Sequence, residues 1–114
     1  MSVPVFSAHH VAGALGPAEA VEAVRRAFVE HARGAWRMPP KVYVAAADGD
    51  FRAMPAEGGG YAVLKWVTSF PENPARGLPT VGGVVLLSDA RTGALLAQLD
   101  AAAVTALRTG AAAV

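Results

Sequence analysis

Three cationic side chains lie in otherwise apolar stretches of this 114-residue chain, and their types and settings suit them to chemistry. Lys65 is the only charged residue between positions 61 and 70, and Arg108 is the only one between positions 101 and 114. Arg52 lies in the short run Phe-Arg-Ala-Met. Because a charge in apolar surroundings is costly unless an opposite charge compensates it, these residues are candidates for binding an anion.

A predicted hairpin brings two of these cations together. In a strand over residues 61–70, Lys65 shares one face with two valines. If the hairpin folds symmetrically about Gly58-Gly59, Arg52 lies directly opposite Lys65, where two like charges repel. A carboxylate between them would relieve the repulsion, since a guanidinium binds a carboxylate through two parallel hydrogen bonds. The alternative is that Arg52 lies at the rim of the sheet and Lys65 reaches solvent along its apolar stem.

Helical and strand patterns define the elements that must position these side chains. Ser7 is a predicted N-cap for a short helix, and Gly16-Pro17 opens an amphipathic helix that Gly34 ends. Asp100 is the predicted N-cap of a final helix. Strands are predicted over residues 3–6, 41–46, 51–54, 61–70, 81–87 and 94–99. The third of these strands is predicted to end at Pro55, ahead of a glycine-rich loop.

Close strands joined by short turns predict an antiparallel meander with the helices packed on one face. The predicted fold class is therefore α+β, with N-terminal helices on a mostly antiparallel sheet. The last helix shows no cap, no basic last turn and no proline stop before Val114. This pattern is typical either of a frayed terminal helix or of a chain that continues, and we expect the second.

The composition excludes several classes of function. Apolar residues make up 54% of the chain and charged residues 17%, which favours a packed core over disorder. A formal net charge of +1 argues against nucleic acid as a partner. No apolar run reaches the roughly 18 residues that a membrane helix needs, and residues 1–16 lack a secretory pattern. We therefore expect a cytoplasmic protein with no nucleic-acid or membrane partner.

Other residue types that could do chemistry are weaker candidates. They are three histidines, three carboxylates near turns and one glycine run: His9, His10, His31, Asp48, Asp50, Glu57 and Gly58–Gly60. The histidine spacing does not make a metal site, so we predict none. The carboxylates suit turn chemistry, and nothing in the sequence supports a catalytic role for them. The glycines precede a strand instead of following one and opening a helix, so they are not a dinucleotide fingerprint.

The order and spacing of several short motifs resemble the ornithine cyclodeaminase/mu-crystallin family. The motifs are Phe51–Pro55, Leu64–Val67, Phe70–Pro74, Gly77–Val81, Thr92-Gly93 and Leu107–Ala111. The resemblance implies a two-domain protein. Its first domain binds substrate and forms a homodimer through its sheet, and its second is a Rossmann domain that binds NAD or NADP. Residues 1–114 correspond to the first domain only.

The resemblance also implies roles for individual residues. Arg52, Lys65 and Arg108 match the positions that bind the carboxylate of a small amino acid or cyclic imino acid, and Lys65 is the implied catalytic residue. Thr80 and Arg108 match positions near the nucleotide. The implied reactions are amino-acid oxidation, cyclising deamination and cyclic-imine reduction. The family's catalytic aspartate and its glycine-rich phosphate loop have no counterpart here, so we expect the 114 residues alone to be inactive.

Two other functions remain open at this point. One is a non-catalytic module that dimerises through its sheet and lacks the nucleotide domain. The other is a carboxylate-binding domain unrelated to the family. The cationic residues fit both, because an anion site does not by itself identify a reaction.

Overall fold

The computed structural model describes residues 2–112 and contains three α-helices and six strands. The helices are α1 (Ala8–Ala14), α2 (Pro17–Ala32) and α3 (Ala101–Ala112). The strands are β1 (Val5–Phe6), β2 (Val42–Ala45), β3 (Asp50–Gly58), β4 (Tyr61–Ser69), β5 (Val81–Asp89) and β6 (Leu95–Asp100). A short 3₁₀ turn, Asn73–Arg76, lies between β4 and β5.

The six strands form one sheet in the order β1-β6-β5-β4-β3-β2. All neighbours from β2 to β6 are antiparallel, and β1 pairs in parallel with β6. The predicted α+β class is confirmed. The two-residue β1 pairs in parallel beside β6, and the prediction of an antiparallel meander did not include this pairing. After β1 the chain forms α1 and α2 and then enters the sheet again at its opposite edge, as β2.

Local capping explains where the helices begin. The Ser7 hydroxyl accepts a hydrogen bond from the backbone of His10 at the start of α1. Pro17 opens α2, and Glu19 accepts from the Gly16 backbone at 3.1 Å. The Asp100 carboxylate accepts from the Ala103 backbone at 2.9 Å at the start of α3. The predicted helix starts are therefore confirmed.

The predicted register of the β3–β4 hairpin is wrong by two residues. The turn is centred on Gly59 and Gly60, whose φ values are +60° and +87°, as a two-residue turn with both central residues left-handed requires. Gly58 is thereby kept in the strand. Arg52 consequently lies opposite Val67, and Lys65 lies opposite Met54. The two cations share a face but are not directly opposite.

The prediction that the third strand ends at Pro55 is also wrong, since β3 continues to Gly58. The Glu57 backbone N–H donates to Arg37 at 2.8 Å on the edge of β3 away from β4. The Pro55 nitrogen, two residues earlier, points to that same edge, where β2 pairs only as far as Ala53. The missing N–H of Pro55 therefore costs no ladder hydrogen bond.

The two faces of the sheet differ in what covers them. On the covered face, which carries Lys65 and its cross-strand partners Met54 and Val85, α1 and α3 pack against the strands and α2 packs on α3. The buried apolar residues of the helix and sheet layers are Val11, Ala20, Val67, Ala97 and Ala101. On the open face, which carries Phe51, Leu64 and Trp66, no helix of residues 2–112 packs. Trp66 is 38% exposed there and stacks on Phe51 with ring centroids 5.5 Å apart.

No helix in residues 2–112 is long and apolar enough to cross a membrane. The helix α3 is described as far as Ala112. The predicted absence of a stop signal concerns the end of the chain, and residues 113 and 114 lie outside the described part.

Candidate functional site

The candidate site is centred on Lys65, in the middle of β4 on the covered face. Its cross-strand partners are apolar, Met54 on β3 and Val85 on β5. Burial lowers the pKa of Lys65 below its usual 10.5, and the nearby positive charges of Arg108 and Lys41 lower it further. The ammonium is therefore half-buried among other cations.

The two positive charges that act on Lys65, those of Arg108 and Lys41, come from two different elements. Arg108 lies on α3, which crosses the covered face, and Lys41 immediately precedes β2 at the sheet edge. Within residues 2–112, neither these two residues nor Lys65 forms an ion pair. The structure thus groups three cations without a carboxylate partner, which is the arrangement expected of an anion site.

Lys41 was missed by the sequence analysis. Two signals could have found it: it is one of only two lysines in the chain, and it follows Pro39-Pro40, which restricts the backbone leading to it. The sequence does not show that Lys41 lies near Lys65, because Lys41 precedes the edge strand β2 and β3 lies between β2 and β4. Only the assembled sheet brings the two lysines near each other.

The segment that leads to Lys41 is fixed to the sheet by Trp36 and Arg37. The Trp36 indole donates to Glu30 on α2 at 2.8 Å. The backbones of Arg37 and Glu57 exchange two hydrogen bonds of 2.8 Å. A Cβ on Gly58 would come within 2.3 Å of the Trp36 ring. The ring therefore packs directly on the strand backbone, and this contact explains why a glycine sits at position 58.

Arg52 differs from the other cations because it has an internal partner. Its guanidinium donates to both carboxylate oxygens of Asp50, from Nε at 2.9 Å and from NH2 at 3.4 Å. It also lies over the Tyr43 ring, 5.3 Å from the centroid. These hydrogen bonds and the charge of Asp50 raise the pKa of Arg52. Asp50 lies opposite Ser69, beyond Arg52 as seen from Lys65, so the guanidinium is held away from the lysine.

Thr80 lies outside this cluster. It immediately precedes β5, and its carbonyl accepts a hydrogen bond from the Phe70 backbone at 2.8 Å. Val85, the partner of Lys65, comes five positions later on β5 (85 − 80 = 5). At the usual rise per strand residue, Thr80 lies roughly 16 Å along the sheet from the level of Lys65. Lys65 and Arg108 are therefore brought together, and Thr80 is at the sheet's end.

The weaker candidates have structural explanations. His10 completes the cap of α1 with Ser7, and His31 lies in the last turn of α2. No group of histidines and carboxylates in residues 2–112 could hold a metal ion. Asp48 and Glu57 form exposed ion pairs with Arg76 at 3.6 Å and with Arg37 at 3.5 Å.

The model of the ornithine cyclodeaminase/mu-crystallin family matches residues 3–114, nearly the whole chain. The chain belongs to this family. Its sequence is 47% identical over 112 residues to the alanine dehydrogenase of Archaeoglobus fulgidus, which covers 98% of this chain and 35% of the relative. The predicted family resemblance is thus confirmed.

Solved structures of family members share this fold. An archaeal alanine dehydrogenase dimer with bound NAD superimposes with a TM-score of 0.95, at 47% identity over 98% of this chain and 35% of that one. The Δ1-pyrroline-2-carboxylate reductase of Thermococcus litoralis, in complex with NADH and L-proline, gives a TM-score of 0.92 at 32% identity, over 97% and 36%. The chain therefore spans about a third of the length of these relatives.

Proposed function

We propose that this chain is the substrate-carboxylate-binding part of an NAD- or NADP-dependent enzyme that oxidises a small α-amino acid or reduces the corresponding imine. The observation that carries the proposal is the half-buried Lys65 with Lys41 and Arg108 nearby and no carboxylate partner for any of them in residues 2–112. The alanine dehydrogenase relative and the L-proline bound to the Thermococcus relative support an amino or imino acid as the anion.

We propose that Lys41, Lys65 and Arg108 hold the substrate carboxylate. The bound carboxylate then fixes the direction of the Cα–H bond. Such positioning removes much of the entropy cost of a reaction between two molecules. Lys65 has the catalytic role. As a cation it pairs with the carboxylate, and its lowered pKa makes its ammonium a stronger proton donor than that of an ordinary lysine, which suits it to give a proton to the imine nitrogen in reduction and to take that proton back in oxidation. Arg52 joins the clamp only by exchanging part of its bond with Asp50 for a bond with the substrate.

The nicotinamide cofactor, when bound, supplies the acceptor or donor of the hydride. Arg108 suits the cofactor side of the site, because it is an exposed guanidinium without an acidic partner in residues 2–112. We assign Thr80 to the same side, at the end of the sheet. The described strand-to-helix connections, β1 to α1 and β6 to α3, contain no glycine to cradle a pyrophosphate. We therefore propose that most of the cofactor site lies outside residues 2–112.

Titration of the ¹⁵N-labelled chain with L-alanine and L-proline, followed by NMR, tests the clamp. We expect saturable shifts at residues around Lys65, because charge-assisted hydrogen bonds contribute about 1.5–3 kcal/mol each. Lys65→Met should weaken binding by roughly tenfold or more. The exposed cation Arg91 gives a matched control, and Arg91→Met should leave binding unchanged. Undiminished binding to Lys65→Met would overturn the proposal.

A second function is supported by the open face of the sheet. Its aromatic and aliphatic side chains have no cover in residues 2–112, and the archaeal alanine dehydrogenase relative is a dimer. We propose that this chain forms a homodimer in which two open faces pack together, since exposed apolar patches mark interaction surfaces. The open face would serve equally in a non-catalytic module whose function is to dimerise, and this is the alternative proposal.

A further inference from the structure

We infer that the site selects amino or imino acids with an uncharged, apolar side chain and discriminates against diamino acids. This inference rests on the proposed function, because it takes the carboxylate to be held at Lys41, Lys65 and Arg108. It goes further by assigning the neighbouring space to the substrate's side chain. The evidence comes from two adjoining hollows and from the charges around them.

The larger hollow has a volume of about 370 Å³ and lies between α2, the segment before β2, and β3. Its walls include Phe28, Trp36, Met38 and Ala56, and Arg108 closes one side. Its size is in the range of natural small-molecule sites, which are mostly apolar with a few polar groups. One of the three proposed carboxylate ligands thus borders an apolar space that a side chain can enter.

The smaller hollow, of about 300 Å³, adjoins this space on the side of Lys41. It shares Met38 and Ala56 with the larger one and is also lined by Lys41 and Met54. Met54 is the cross-strand partner of Lys65. A carboxylate bound between the two lysines therefore leaves the substituent on Cα against Met38, Met54 and Ala56.

Among the described residues, no carboxylate lines either hollow. The ionisable side chains that do are His31 and Arg108 in the larger and Lys41 in the smaller. All three are basic groups. An ammonium at the end of a substrate side chain would therefore meet cations and apolar walls, with no anion to compensate it.

Three carboxylates on α2 and β3, the elements that border the hollows, already have partners. Asp50 holds Arg52 with its two oxygens. Glu30 accepts the Trp36 indole hydrogen at 2.8 Å. Glu57 lies opposite Ala62 on the open face and pairs with Arg37. A diamino acid would therefore have to share a carboxylate that already has a partner.

The physical consequence is a preference set by desolvation and repulsion. An ammonium loses its hydration when it enters an apolar space, and like charges nearby add to that cost. An alkyl side chain of the same length gains from leaving water. The two ligands L-norvaline and L-ornithine isolate this effect, since they differ only in the terminal ammonium.

The test is an NMR titration of the ¹⁵N-labelled chain with L-norvaline and with L-ornithine at neutral pH. We expect norvaline to bind at least tenfold more tightly and to shift the amide signals of Met54, Ala56 and Lys65. Equal binding of both ligands would overturn the selectivity while leaving the carboxylate clamp intact. Binding of neither would overturn the clamp, and with it this inference. Tighter binding of L-aspartate than of norvaline would also overturn the selectivity for apolar side chains.

A charge placed in the hollow provides a second measurement. Ala56→Asp puts a carboxylate on the covered face of β3 and should raise the ornithine-to-norvaline affinity ratio by tenfold or more. Ala90→Asp is the matched control, because it puts the same group at an exposed position in the turn between β5 and β6. The control should leave the ratio unchanged. An equal change in both variants would overturn the assignment of this hollow to the side chain.

Discussion

Lys65 and Trp66 are neighbours on β4 and point to opposite faces of the sheet, and each lacks a different kind of partner. On the covered face, Lys65 is surrounded by helices and apolar strand residues, yet it and the cations near it have no carboxylate in residues 2–112. On the open face, Trp66 stacks on Phe51 and remains 38% exposed. One face is covered but has uncompensated charge, and the other is apolar but uncovered.

The difference shows that one strand can contribute to two kinds of binding site, because successive side chains point to opposite faces of the sheet. An unpaired cation in a hollow can be satisfied by a small anion, which fits between helices and sheet. A broad apolar face can be satisfied only by another protein surface, because the gain from leaving water grows with the area buried. Changes on one face should therefore leave the function of the other intact.

The largest effect is expected from Trp66→Asp. If two open faces pack together, this change places a charge in the centre of the interface and should cost about 4 kcal/mol of association free energy, as for a central hot spot. Light scattering should show a dimer for the wild type and a monomer for the variant. Val29→Asp, on an exposed part of α2, should leave the dimer unchanged. A monomeric wild type would remove the dimer proposal.

The next largest effect is expected from overpacking on the covered face. Gly58→Val would force the Trp36 ring from the strand backbone and should lower the free energy of unfolding by about 3 kcal/mol. Ala90→Val, at an exposed position in the turn between β5 and β6, should cost under about 0.5 kcal/mol. Thermal unfolding should place the midpoints roughly 10 °C apart. Equal midpoints would mean that the Trp36 contact does not hold the segment before Lys41.

Lys65→Met should have a smaller effect of opposite sign. Because burial and nearby cations lower the pKa of Lys65, the unfolded chain binds its proton more tightly than the folded chain does. Below the folded pKa both states carry the proton, and the folded state bears the full cost of the charge. Stability therefore rises with pH from the lowered pKa up to 10.5. The variant should gain about 1 kcal/mol at pH 7, the size of one like-charge contact.

Urea unfolding at several pH values checks this prediction. The advantage of Lys65→Met over the wild type should shrink as the pH rises from the lowered pKa, and it should be lost above 10.5, where the wild-type lysine is neutral in both states. Comparing variant with wild type at each pH cancels the titration of other groups. A variant less stable than the wild type at neutral pH would contradict this prediction. It would mean that packing of the aliphatic part of Lys65 stabilises the fold by more than its charge destabilises it.

Local signals in the sequence predicted much of this fold. Ser7, Pro17 and Asp100 predicted the helix starts, because capping depends on residues within one turn. Lys65 and Arg108 were also predicted as site residues, since isolated charges in apolar runs are visible without a structure. The register of the hairpin was not predictable in the same way. Three successive glycines allow more than one turn, and packing of Trp36 on Gly58 fits only one of them.

Long-range pairing accounts for the other errors. The position of Lys41 near Lys65 depends on the order of the strands in the sheet, which no local pattern gives. The continuation of β3 through Pro55 depends on where β2 stops pairing. The bond between Arg52 and Asp50 joins residues only two apart, but the position of Asp50 beside the Asp48-Gly49 turn predicts a turn residue. Its competition for the predicted clamp therefore became visible only in the structure.

The smallest effect is expected from Asp50→Asn, which makes Arg52 resemble Lys65 by removing its partner. The lost ion pair is partly exposed, so its removal should lower stability only slightly at low salt and less at high salt. Asp48→Asn removes a longer and more exposed pair with Arg76 and should cost less still. Thermal unfolding at two salt concentrations measures both. Loss of stability in Asp50→Asn beside a gain in Lys65→Met would show that Arg52 has its anion within the chain, whereas Lys65 requires one from outside.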